Sequence, residues 1–230
     1  LGPVNGKKIY SASYDNAPNV LKEIARLREV TFRKVGEGTG YKTDFDQFDK
    51  YYKHIVVWDE VELEIAGAYR IGIGSEIIKK FGVQGLYTAT LFDFKPEFEK
   101  YLTAGVELGR SFIQQKYWRS NILDYLWQGI GKCLSNYSDI KYVFGSVSLS
   151  DNYSTDSKNL IVSYYDKWYN NMEASVYAKN KFTITQKDKK EVEAVLNSNK
   201  MEVDYGNLKL MLKNFGYSIP VLFRKYTELC

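Results

Sequence analysis

Histidine and cysteine are the scarcest chemically versatile residues in this chain. One histidine, His54, and two cysteines, Cys133 and Cys230, are spread over 230 residues. With no Cys or His partner near it, His54 excludes a His/Cys zinc site and a histidine-containing nucleophile triad, leaving a packing or surface role as the expectation. Two thiols build no disulfide framework, which fits a reducing, cytoplasmic compartment. No run approaches the roughly 20 apolar residues of a membrane-crossing helix. The first ten positions, Leu1 to Tyr10, carry no apolar signal-peptide core, so no such signal is expected there. Dense Lys/Arg runs with interleaved aromatics are missing, and the net charge is only +4. Nucleic acid is therefore not an expected partner, whereas an acidic protein or an anionic membrane surface is compatible with the charge.

Two further patterns fall short of a motif. Gly36-Glu37-Gly38-Thr39-Gly40 lacks the closing Gly-Lys-Ser/Thr of a phosphate loop and follows a helix, so it reads as a flexible loop. Asp44, Asp46 and Asp49 lack the EF-hand glycine and closing glutamate. They read either as a solvated acidic loop or as carboxylates waiting for a substrate amine.

What is present is an ordinary globular composition, 44% hydrophobic and 26% charged, with 20 tyrosines. The tyrosines suit amphipathic packing or, less simply, a wide cleft for a long ligand. A strand is expected over Lys8 to Ser13 and a helix from about Val20 to Lys34, started near Pro18. That helix stacks Arg28 and Phe32 one turn apart. His54 to Asp59 and Ile65 to Ile71 read as a hairpin ending near Arg70, followed by a short helix over Ser75 to Phe81. Gly85 to Phe94 reads as a third strand carrying Phe92, and Pro96 to Leu102 as a helical turn. After Ser120, a plausible N-cap, a helix is expected to Tyr137; its glycines, Gly129 and Gly131, suggest close backbone approach. A buried strand over Tyr142 to Leu149 and a helix over Thr155 to Tyr169 follow, then a strand or ribbon over Ser175 to Thr185. Short helices over Lys187 to Asn197, Leu208 to Phe215 and Ile219 to Leu229 close the chain.

The stretch Ala104 to Ile113 organises the rest. Val106, Leu108, Phe112 and Ile113 make it a buried strand, yet it carries Glu107 and Arg110. Burying either charge alone costs several kcal/mol, so the two must be paired, hydrated or in use. They are the first candidates for catalysis.

The element order is that of a mixed sheet flanked by helices, and it resembles the GNAT acyltransferase fold. Arg28-Glu29-Val30-Thr31-Phe32, Asp46-Gln47-Phe48-Asp49, Arg70 and Glu107-Leu108-Gly109-Arg110 look like the ordered motifs of acyl-homoserine-lactone synthases. A closer resemblance is to the ornithine- and glycine-lipid N-acyltransferases, long labelled hemolysin-like. It rests on Val106 to Ser111, Leu126-Trp127-Gln128-Gly129-Ile130-Gly131, Phe144 to Ser150 and Ile219 to Tyr226. Gly38 stands where the lactone synthases carry tryptophan. Trp118 and Ser120 stand where the coenzyme A loop carries small residues, which favours a carrier-protein phosphopantetheine.

The resemblance implies an α/β fold with a mixed, largely antiparallel sheet, helices on both faces, a core over 1–185 and a C-terminal helical appendage over 186–230 of the same domain. It implies transfer of a fatty acyl chain from acyl carrier protein to the amine of a small amino acid, glycine or ornithine, as a first step toward an aminolipid. Glu107 and Arg110 would be catalytic, with Glu107 taking the amine proton and Arg110 pairing with Glu107 or with the acceptor's carboxylate. Arg28, Phe32, Asp46, Asp49, Arg70 and Phe92 would bind substrate. Ser111, Phe112, Lys116, Arg119 and Ser120 would meet the donor. No tightly bound cofactor is expected; the co-substrate is acyl-phosphopantetheine or acyl-coenzyme A. The inner membrane face is the expected place of any peripheral docking. A lactone-type signal synthase and a non-catalytic membrane-binding or interaction module are the alternatives.

Overall fold

The computed structural model describes residues 6–170 and 175–228. Two compact units appear, one of residues 1–146 and 175–179, the other of 147–174 and 180–230. The division thus falls at 146/147, ahead of the expected 185/186, because the helix Thr155–Tyr169 packs into one core with the later helices. Leu160, Ile161 and Tyr164 from it meet Val192, Leu196, Leu208 and Leu212 there.

In chain order, the first unit contains β1 (Lys7–Ala12), α1 (Pro18–Lys34), β2 (Lys53–Asp59), β3 (Glu64–Ile73), α2 (Gly74–Phe81) and β4 (Phe92–Phe94). It continues with α3 (Glu99–Thr103), β5 (Gly105–Ile113), α4 (Ile122–Leu134), β6 (Tyr142–Phe144) and, later in the chain, β7 (Val176–Ala178). The main sheet runs β1-β2-β3-β5-β6. Every neighbouring pair is antiparallel except β5 with β6, which is parallel.

α1 forms because Leu21, Ile24 and Leu27 share a face, and Pro18 lies in the first turn, where a missing N–H costs nothing. That face packs on Val56, Ile65, Ala68 and Phe112 of the sheet. α4 covers the other face. A β-carbon on Gly129 would lie 2.5 Å from Ile55 Cγ2, so this glycine permits the expected close approach. A β-carbon on Gly131 would meet nothing within 4 Å, so that glycine has no such role. α4 starts after Asn121, not at a Ser120 cap; the Ser120 hydroxyl donates to the Tyr117 carbonyl at 2.5 Å instead.

Two expected strands are absent as such. Residues 85–94 coil into 3-10 turns, Val83–Gly85 and Tyr87–Thr90, before the three-residue β4, which pairs with β7 in a separate two-stranded sheet. The backbone N–H groups of Tyr87 and Thr88 bond a carboxylate from β5, not a neighbouring strand. β6 is three residues long with Tyr142 and Val143 exposed, so the buried strand expected to Leu149 is largely loop.

The second unit contains α5 (Thr155–Tyr169), capped by the Ser154 hydroxyl, then α6 (Gln186–Val195), α7 (Met201–Asn214) and α8 (Val221–Thr227). Asp204 is fully buried on α7 and accepts from Lys167 Nζ (2.7 Å), Trp168 Nε1 (3.1 Å) and the Ser198 N–H (3.0 Å). Cys230 and the end of the last predicted helix lie outside the described residues. Among the described residues no helix is long and apolar enough to cross a membrane.

Candidate active site

Strand register places the polar residues together. Successive side chains of a strand alternate faces. His54 pairs with Arg70, and Gly72 with Glu107, so these positions lie along the sheet face that α1 covers. Tyr52, just before β2, extends the row.

β3 and β5 slip register between Ala68 and Arg70, where Arg110 and Ser111 oppose Tyr69 alone. This is a bulge, with Arg110 at φ +51°. A left-handed non-glycine residue costs of order 1–2 kcal/mol, so the packing around the bulge overrides a local preference. Such bulges re-aim side chains, and this one directs Arg110 to Asp44 and Asp46, not to Glu107. Arg110 Nη1 lies 3.6 Å from Asp44 Oδ2 and its Nε 3.9 Å from Asp46 Oδ2.

Three guanidiniums, Arg28, Arg70 and Arg110, face three carboxylates, Asp44, Asp46 and Asp49. Asp49 is the hub. It accepts from Arg28 Nη2 (2.7 Å) and Nη1 (3.0 Å), Arg70 Nη1 (3.2 Å), His54 Nε2 (3.0 Å) and the Asp46 N–H (2.9 Å). Burial raises the pKa of Asp49, but the bonds from His54 and Arg28 and the charges of Arg28 and Arg70 outweigh it and hold the group well below the usual carboxylate range. Burial lowers His54 against the pull of Asp49. The imidazole is thus neutral near pH 7, its Nε2 proton fixed by the Asp49 acceptor. Burial raises Asp44, opposed by Arg28 and Arg110. The loop bearing Asp44 is itself anchored. Glu29 accepts from Thr39 Oγ1 (2.6 Å), the N–H groups of Thr39 and Gly40 (3.0 Å each) and Arg33 Nε (2.6 Å).

Glu107 is 2% exposed and separate from that network. Its Oε1 accepts the Thr88 N–H at 2.6 Å, and its Oε2 accepts the Tyr87 N–H at 3.0 Å and the Tyr52 hydroxyl. The Tyr87 ring lies 5.3 Å from the Arg70 guanidinium and 5.2 Å from that of Arg110. Asp46 sits at the N-cap of a 3-10 turn, its Oδ1 accepting from Phe48 N, Asp49 N and Arg70 Nη1. Asp46 Oδ2, Arg70 Nη2, Arg110 Nε and Thr88 Oγ1 are buried without a hydrogen-bond partner among the described residues. An orphaned buried polar atom costs about 1–3 kcal/mol, so a cluster of them points to a polar ligand.

The remaining candidates divide. Phe32 packs on the core between α1 and the sheet, and Phe112 is buried in that core, so only its backbone could face a donor. Phe92 lies on the small β4-β7 sheet, not on the sheet that carries Glu107. Ser111 is half-buried on the bulge. Lys116 Nζ is matched by Glu64 (2.5 Å) and Glu62 (3.1 Å), while Arg119 is exposed. Ser120 is committed to Tyr117. Tyr52, Tyr87 and Thr88 belong to no site motif in the sequence, His54 reads as packing or surface, and Asp44 reads only as one of the loop carboxylates that could wait for a substrate amine. For Tyr52 and His54 a signal existed, since both share the period of Val56.

Residues 27–128 match the model of the acetyltransferase (GNAT) domain. A glycine N(alpha)-acyltransferase of Phocaeicola vulgatus is 34% identical, over 96% of this chain and 72% of that protein. One of Bacteroides thetaiotaomicron is 32% identical, over 98% and 70%. Among solved structures, an aminoglycoside acetyltransferase from an uncultured soil metagenomic sample superposes with a TM-score of 0.42 at 14% identity, covering 79% of this chain and 98% of that one. The two glycine acyltransferase relatives and the matching domain model lead to one conclusion: the chain belongs to the glycine N(alpha)-acyltransferase family, within the GNAT acyltransferases.

Proposed function

We propose that this acyltransferase moves a fatty acyl chain from the phosphopantetheine thioester of acyl carrier protein to the amine of a small amino acid, glycine first, giving an N-acyl amino acid for aminolipid synthesis. The observation that carries this reading is the set of orphaned polar atoms around Tyr87. Arg70 Nη2 and Arg110 Nε offer N–H donors to an α-carboxylate, and Asp46 Oδ2 offers an acceptor to an α-ammonium. A guanidinium suits a carboxylate through charge-assisted bonds. The relatives' name, glycine N(alpha)-acyltransferase, supports glycine as the acceptor.

The donor is assigned to β5. Its pairing with β6 ends at Glu107 and Phe144. From Gly109 to Ile113 no strand among the described residues pairs on that edge, which leaves backbone groups for pantetheine amides and for the oxyanion. The α-ammonium first gives up one proton to water; the neutral amine then attacks the thioester carbonyl and the C–N bond forms. The C–S bond then breaks, and the proton lost by the amine ends on the departing thiolate. The charge of +4 and the exposed Arg119 suit an acidic carrier, and the lipid product suits peripheral contact with the inner membrane face.

The test is incubation with palmitoyl carrier protein or palmitoyl-coenzyme A and, in turn, glycine, ornithine and S-adenosylmethionine, read by mass spectrometry. N-palmitoylglycine, formed faster from the carrier, is expected. A lactone released only from S-adenosylmethionine would move the assignment to signal synthesis, and no product from any pair would favour a binding module.

A further inference from the structure

Tyr52 occupies a slot the sheet has been shaped to receive. Gly72 lies beneath it, and a β-carbon there would stand 2.4 Å from Tyr52 Cε1. The ring is 2% exposed, meets Phe48 edge-on at 5.9 Å and lies 5.2 Å from the Arg70 guanidinium. Its hydroxyl donates to Glu107 Oε2 and accepts the Tyr87 N–H at 3.0 Å. Of the four or so lone-pair directions of the Glu107 carboxylate, three donors occupy three. The carboxylate therefore turns inward, to the backbone of Tyr87 and Thr88.

We propose that Tyr52 is a positioning residue for acyl transfer: with Glu107 it grips the N–H groups of Tyr87 and Thr88 and so fixes the Tyr87 ring against the two guanidiniums that receive the acceptor. Glu107 acts through that turn and does not itself carry the amine proton. This rests on the acceptor site proposed above. Burial and the adjacent Glu107 push the Tyr52 phenol far above its ordinary range, so it remains a donor at every working pH.

The experiment compares wild type with Tyr52→Phe, Glu107→Gln and the double variant. Steady-state kinetics are read against glycine and donor separately, across pH, together with hydrogen exchange of the 86–90 segment. Tyr52→Phe is expected to raise KM for glycine about 10-fold, leave KM for the donor within 2-fold and speed exchange of the Tyr87 and Thr88 amides. Glu107→Gln should keep the shape of the kcat/KM pH profile, and the double variant should be no worse than the poorer single one, since the pair acts as a unit. A Tyr52→Phe enzyme within 2-fold of wild type, or a Glu107→Gln enzyme that loses the acid limb of the profile, overturns the proposal. Should Tyr52→Phe not fold, Gly72→Ala keeps every polar group and crowds the Tyr52 ring, with Ile77 Cδ1 the other near neighbour; it should raise KM for glycine and the same amide exchange, and no change in either counts against the clamp. Hydrogen exchange needs no turnover. Wild type without N-acyl product therefore sinks the acyl-transfer reading, whereas unchanged amide exchange sinks the clamp.

Discussion

Asp49→Asn separates what holds this site together from what it does. Asp49 takes five hydrogen bonds and sits between two guanidiniums that are each 1% exposed at the side chain. Asparagine keeps the volume but removes the charge, and turns an N–H₂ group toward cationic donors. Breaking a buried ion pair from one side costs about 3–5 kcal/mol. Asp44 and Asp46 still contact Arg28 and Arg70, at 2.9 and 2.6 Å, which favours the lower end, about 3 kcal/mol. At roughly 2–4 °C per kcal/mol for a chain of this size, the melting temperature should fall by about 6–12 °C. Thermal melts followed by near-ultraviolet circular dichroism measure it. Asp46→Asn is the matched control. Its side chain is 23% exposed, asparagine is an equally good N-cap, and the stability change should stay below about 1 kcal/mol. Turnover with glycine, however, should fall about 10–100-fold, because the acceptor ammonium loses its counter-charge. A melting temperature of Asp49→Asn within 1 °C of wild type would refute the claim that this carboxylate is the hub.

Acid stability should report the Glu29 anchor. Burial raises its pKa, but bonds from Thr39, Arg33 and Gly40 win and bring it from 4.5 to about 2. A depressed carboxylate stabilises the fold above its unfolded pKa, so this contribution is complete above about pH 4.5 and fades as pH falls toward 2. Glu29→Gln should melt lower than wild type at pH 6, with the gap closing below pH 3. In the second unit, Asp204→Asn leaves Lys167 and Trp168 poorly matched and should destabilise that unit by about 2–3 kcal/mol, read as an earlier change in tryptophan emission during urea unfolding.

Much of the fold was legible because its signals are local. The apolar stripe of α1 and the β-branched hairpin each sit within a few residues of the element they define. The charges on β5 were equally visible, since a buried strand has no other use for them. Residues 85–94 were not legible. Leu86, Tyr87, Leu91 and Phe92 have strand composition, but the groups that bend the backbone there, Tyr52 and Glu107, lie 35 and 20 residues from Tyr87. Of the two partners expected for Arg110, Glu107 is replaced by Asp44 and Asp46 for a similar reason. The direction of Arg110 depends on a bulge, and a bulge is a property of two strands. His54 read as packing because a lone histidine gives no ligand pattern; only the cross-strand partner Arg70 and the loop-borne Asp49 place it within a charge network.

In the proposed reaction Arg70 and Arg110 receive the acceptor carboxylate while Asp46 receives its amine. The most direct measurement is kcat/KM for glycine against glycinamide, with the same acyl donor. Glycinamide keeps the amine and loses the carboxylate charge, so it leaves Arg70 Nη2 and Arg110 Nε without an anionic acceptor. A preference for glycine of about 100-fold, worth about 2.7 kcal/mol, is expected. Equal rates for the two acceptors would contradict it.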